Sequence, residues 1–267
     1  MGVGLKPAAV VGLVRELRAA GGRTDPLQVS GVLAEQLARE LRAGGADASV
    51  RIGGDPSTAA ALVVVLGGAA TEEDERLLRA ASRSRTATIA VQTQGDAGPD
   101  VPYVFATDVV VCPPGAGFPV EEIARAIAHR LGNDAPALAA RLPVLRAPVC
   151  AELISSFSRR GGVIGAAVFV PGADLPVLTL NQLRLVLQIG AAHGVEIDEQ
   201  RAPEILATVG NGLAFRALAR EVLGLIPFAG WAVKGALAYA GTRTVGEAAV
   251  RWFSRDPHEA RSVRART

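Results

Sequence analysis

Between Leu27 and Leu131 short valine-rich runs of strand length alternate with helical periods, and beyond Asn133 such runs stop. Repeated strand-then-helix units bury their apolar faces as a mainly parallel sheet with helices packed on both sides. The sequence therefore predicts a three-layer α/β domain over 1–135 and an all-helical module over 136–254. The remaining 255–267 is polar and basic and is read as a disordered tail.

Strands are expected at Leu27–Ser30, Ala48–Ile52, Ala59–Leu66, Thr86–Thr93 and Tyr103–Val111. Helices are expected at Val32–Ala43, from Thr71 to about Ser82, and at Pro119–Leu131, with a leading helix at Pro7–Ala20. Thr71 followed by Glu72, Glu73 and Asp74 is a helix start, because a capping hydroxyl and acidic groups both favour the positive end of the helix. In the second half the period predicts helices at Leu142–Arg160, Leu178–Ala192, Arg201–Val209, Ala214–Leu225 and Trp231–Phe253. The pair Gly161-Gly162 is expected to break the first of these, and Pro227 with Gly230 to form a turn before the last.

Hydrophobic residues make up 49% of the chain but aromatics only 4%, and there are 30 glycines. Apolar mass made of Ala, Val and Leu suits close helix packing. A net charge of +2 with no basic face interleaved with aromatics argues against a nucleic-acid partner. The two cysteines, Cys112 and Cys150, form no disulfide framework and show no metal-ligand spacing, so no metal or cofactor is expected. The start of the chain reaches Arg15 and Glu16 before any long apolar run, so no secretory signal is read and a cytoplasmic-side location is expected.

From Ala60 to Leu131 the order of parts resembles the second half of an Era-type GTPase domain. In that family the guanine-reading motif is Asn-Lys-x-Asp; here the matching place reads Thr93-Gln94-Gly95-Asp96, and only Asp96 agrees. A phosphate loop needs G-x-x-x-x-G-K-[ST], since backbone amides cradle the phosphates, Lys neutralises them and the hydroxyl holds Mg²⁺. Where the first strand meets the first helix the chain reads LQVSGVLAEQL, with Gly31 but no second Gly, no Lys and no hydroxyl in register. The resemblance thus implies a GTPase-like domain that has lost its nucleotide motifs, and no GTP hydrolysis.

Other chemistry is thin. Cys112, His129 and Asp108 can be drawn as a nucleophilic triad, but a thiol closing a valine-rich strand is ordinarily inert, and a histidine near a helix C-terminus ordinarily favours the dipole. Asp174 lies between two prolines in an apolar stretch and, with Asn181 and Arg184, is read as an ion pair or cap before a ligand contact. The segments PGADLPVLTLNQ and LIPFAGWAVKGALAYAGTR, with the closing GEAA-R-F pattern, resemble the YcjF-type domain of unknown function that follows GTPase-like domains. That resemblance covers roughly 149–253 and implies membrane association and partnership rather than catalysis. The candidate motif or interaction positions are Asp174, Pro176, Asn181, Gln182, Arg184, Pro227, Gly230, Trp231, Lys234, Gly235, Arg243 and Glu247.

The runs Val163 to Ala173 and Val222 to Val233 are the most apolar, each cut soon after by a charge. In the last helix Ala236, Ala240, Thr244 and Ala248 form a small-residue stripe, and Arg243 and Glu247 are spaced for a salt bridge. Two readings follow. The chain is a non-catalytic scaffold or regulator at the cytoplasmic face of a membrane, touching lipid; alternatively it is a soluble oligomeric adaptor that binds a nucleotide or other small ligand near Gly31 and Asp96 without hydrolysing it. Both imply a protein partner or self-association through the helical module.

Overall fold

The computed structural model describes residues 12, 13, 15, 25–94, 100–113, 115–167, 175–195 and 231–254. The expected helices at Arg201–Val209 and Ala214–Leu225, the Pro227–Gly230 turn, the tail and most of Pro7–Ala20 lie outside the described residues. The chain divides into two compact units, one formed by residues 21–149 and one by 1–20 with 150–267.

The first unit is an α/β sandwich. Its elements in order are β1 (Leu27–Gly31), α1 (Ala34–Arg42), β2 (Val50–Ile52), β3 (Ala61–Leu66), α2 (Glu72–Ser84), β4 (Ala87–Gln92), β5 (Val109–Val111), α3 (Val120–Leu131) and the short α4 (Ala135–Arg141). The five strands form one sheet in the order β2-β1-β3-β4-β5, and every pairing is parallel. The expected strand Tyr103–Val111 is shorter than the sequence suggested. Residues 106–108 form a single 3₁₀ turn, and only 109–111 pair with β4. The expected Ala48–Ile52 strand is trimmed in the same way, by a 3₁₀ turn at Asp47–Ser49.

Because side chains alternate across a strand, the register sorts the sheet into two faces. Leu62, Val64 and Leu66 of β3, with Ala90 of β4, pack on Leu78 and Ala81 of α2. In register with that face stand Gln28, Ser30 and Arg51, while Leu27, Val29, Val63, Val65, Ile89 and Val91 point the other way. These six side chains are all apolar and buried. Theirs is the side for α1, which packs on β1 and β2, and for α3, which packs on β4 and β5. The face of α2 is polar at the β1–β2 end because no helix joins β2 to β3. There the Gln28 amide donates to the Gly54 carbonyl at 3.0 Å, and Arg51 donates to the Gln28 side-chain oxygen at 2.8 Å. These bonds meet the requirement that a buried amide be paired.

α2 opens on a capping box. The Asp74 amide donates to the Thr71 hydroxyl at 3.2 Å, and the Thr71 amide donates to the Asp74 carboxylate at 3.0 Å.

The second unit contains most of α5 (Arg146–Ala167), with α6 (Leu175–Ala192) and α7 (Trp231–Phe253). The expected break at Gly161-Gly162 does not occur, and α5 runs through it to Ala167. The reason is packing. A Cβ at Gly161 would stand 2.7 Å from the Thr242 hydroxyl, and one at Gly165 would stand 2.7 Å from the Ala238 Cβ and 3.0 Å from the Lys234 carbonyl. The missing side chains let two helix backbones approach closely, which outweighs the helix propensity lost by glycine. On α7 the residues in this seam are Gly235, Ala238 and Thr242, with Gly246 against Ile154 and Leu185. The stripe expected to make the close approach is largely on the open side, since Ala236, Ala240 and Thr244 are exposed and only Ala248 is buried. Among the described residues no helix is long and apolar enough to cross a membrane.

Candidate functional site

In open parallel sheets ligands sit beyond the C-terminal strand ends, where the winding direction reverses. With the order β2-β1-β3-β4-β5 that point lies between β1 and β3. The loop leaving β1 consists of Val32 and Leu33 alone, because β1 ends at Gly31 and α1 begins at Ala34. Gly31 has φ 93°, and a Cβ there would stand 2.1 Å from the Val65 carbonyl oxygen. Glycine is thus required by the contact of the two backbones. The first amide after it, that of Val32, donates to the same Val65 carbonyl at 3.0 Å.

Leu33 holds φ 53° and offers no side-chain cap to α1. Val32 and Leu33 are 48% and 56% exposed, so apolar side chains stand in the mouth of the crevice. The only charge in the first turn of α1 is Glu35, which repels an anion. A phosphate cradle needs several converging amides and a cation, and this turn carries no Lys or Arg.

The other degenerate positions follow the same edge. Thr93 directs both its amide and its hydroxyl to the Leu66 carbonyl, at 3.0 and 3.1 Å. Gln94 lies beside Gly68, its side-chain oxygen 3.5 Å from where a Cβ would be. The structure therefore sets Gly31, Thr93 and Gln94 along one end of the sheet, while Gly95 and Asp96 lie outside the described residues. No protein-family model matches the chain, and no curated protein matches it.

The three residues drawn as a triad differ in setting, since His129 is exposed on α3 whereas Cys112 and Asp108 are buried. Asp108, its carboxylate side chain only 3% exposed, pairs with Arg130 at 3.5 Å, and that guanidinium lies 4.8 Å from the Phe105 ring centre. The carboxylate is thus committed to holding the loop before β5 against α3. Cys112 is buried, and burial pushes its thiol above the usual range, the reverse of what a nucleophile needs. Among the described residues no three metal-ligating side chains come together.

At the opposite, N-terminal end of the sheet a polar cavity of about 420 Å³ is bordered by Asp25, Arg85, Arg130, Asp134 and Arg141. Burial lowers the pKa of Arg141, whose guanidinium donates to the Asp25 carbonyl at 2.8 Å. Its border mixes both signs of charge, with Arg130 and Arg141 engaged by Asp108 and the Asp25 carbonyl, which fits a structural hollow.

In the helical unit the motif positions separate. Asp174, Pro227 and Gly230 lie outside the described residues, and Pro176 and Trp231 are described only as backbone of α6 and α7. Asn181 donates to the Phe157 carbonyl at 3.0 Å, joining α6 to α5. Gln182 is half-buried on α6. Lys234 and Gly235 belong to the glycine seam, and Arg243 bonds Glu247 at 2.8 Å on an outer face. Asn181 and Arg184 both border a cavity.

That cavity, of about 730 Å³, is bordered by Arg184, Val177 and Leu180 of α6, by Arg159, Arg160, Val163 and others of α5, and by Leu13. Leu13, expected in the α/β domain, is buried here with the helical unit. Arg159 and Arg160 escaped the sequence reading. Their signal was spacing, since Val163 and Ile164 follow each of them by four residues and so lie on the same face.

Proposed function

We propose that the chain is a non-catalytic scaffold or regulatory protein held at the cytoplasmic face of a membrane, with an α/β domain of GTPase-like build that has lost its nucleotide site. The observation that carries this reading is the two-residue turn Val32–Leu33 at the point where such a sheet ordinarily holds its ligand. A nucleotide phosphate there meets two exposed apolar side chains and Glu35 where a phosphate loop has a Lys. Support for a membrane location comes from the helical unit, where Val163 and Val177 are 68% and 49% exposed beside arginines.

Fractionation of the untagged protein in its own cells tests the location. Sedimentation with membranes is expected, and recovery wholly in the supernatant overturns it. Thermal melting with millimolar GTP or ATP and Mg²⁺ tests the lost site. No shift is expected, because only a ligand bound to the folded state raises the midpoint.

A second reading is a soluble oligomeric adaptor. It is favoured by the outer face of α7, where Val233, Ala236, Leu237 and Ala240 are all exposed. Light scattering that gives more than one chain per particle, together with a wholly soluble protein, selects it.

A further inference from the structure

The cavity beside α5 and α6 has a direction. Asn181 lies against Phe157, and the shared groove sets Arg159 and Arg160 near Arg184 at one end and Val163 and Ile164 near Val177 at the other. This is how two helices running in opposite directions place them. One end is cationic and the other apolar. No carboxylate borders the groove among the described residues.

The arginines are held in place. Arg160 stacks over the Phe157 ring at 5.3 Å from its centre, a contact made through the guanidinium plane that leaves N–H donors at its rim. Arg159 reaches Glu152 at 3.6 Å and stays 64% exposed. A guanidinium presents paired donors that match phosphate oxygens.

Resting on the membrane reading above, we infer that this groove binds a single anionic phospholipid, with one acyl chain along Val163, Ile164, Val177 and Leu180 and the phosphate among Arg159, Arg160 and Arg184. The volume is that of a small-molecule site, in the usual range of about 300–1,000 Å³. An amphipathic partner helix fits the groove less well, because it needs apolar anchors repeated at helical spacing along a longer trough. A lipid needs what is present: one charged end and one apolar end.

The test uses the full chain and floats it with vesicles of phosphatidylcholine alone or of phosphatidylcholine mixed equally with phosphatidylglycerol. Binding is expected only to the mixture. Arg160→Glu removes a phosphate contact, and Val163→Asn removes apolar contact without changing charge. Each is expected to weaken binding about tenfold. Both positions are exposed, and an unchanged thermal midpoint checks that the variants fold. Arg39→Glu, an exposed charge reversal on α1, is expected to leave binding unchanged.

If the wild type floats with the mixture and both groove variants float equally well, the lipid site is overturned while the membrane reading stands. The site is also overturned if the groove variants change only the size of the particle in solution, since the occupant is then a second copy. A chain that neither floats nor sediments with cell membranes overturns both.

Discussion

Asp55 shows how far single positions can be read. Its carboxylate accepts from the Ser57 amide at 2.9 Å and caps a short 3₁₀ turn at Pro56–Thr58, and this bond holds its pKa below the usual carboxylate value. A group whose folded pKa is lowered adds stability above its unfolded pKa and loses it as pH falls through the folded value. The difference in melting temperature between wild type and Asp55→Ala is therefore expected to narrow as pH drops below about 4. A constant difference on thermal melts across that range refutes it. The T-E-E-D spelling made the cap of α2 legible, because both partners lie within three residues. The Asp108–Arg130 pair was not legible, since its members come from different elements and only the fold brings them together.

At the scale of elements the glycines carry the lesson. Gly161-Gly162 reads as a helix end when only local propensity is weighed, yet α5 continues because α7 needs the space. Gly165→Val is accordingly expected to destabilise the protein by about 1–3 kcal/mol through overpacking, although valine forms helix more readily than glycine. Urea unfolding measures this, and a stabilised variant refutes the packing argument. The closing helix shows the reverse case. The stripe Ala236, Ala240, Thr244 and Ala248 lies largely on the open side of α7, whereas α5 meets the row Gly235, Ala238 and Thr242. Small side chains are found on both rows, and sequence spacing alone does not choose between them.

The whole molecule consists of two compact units that meet in sequence inside α5, at Val149 and Cys150. The parallel sheet was legible because buried strands on both faces read as continuous valine runs. The extent of the first unit was less so, since α4 and the start of α5 are helical in sequence character but belong with the sheet. A fragment of residues 21–149 is expected to fold alone, with a cooperative melt and α/β circular dichroism. A fragment lacking cooperative unfolding refutes its independence. Beyond stability, the turn at Val32–Leu33 bears on what this scaffold can become. A phosphate loop of the G-x-x-x-x-G-K-[ST] kind has to be inserted between Gly31 and Ala34, so no series of single-residue exchanges gives this crevice that loop.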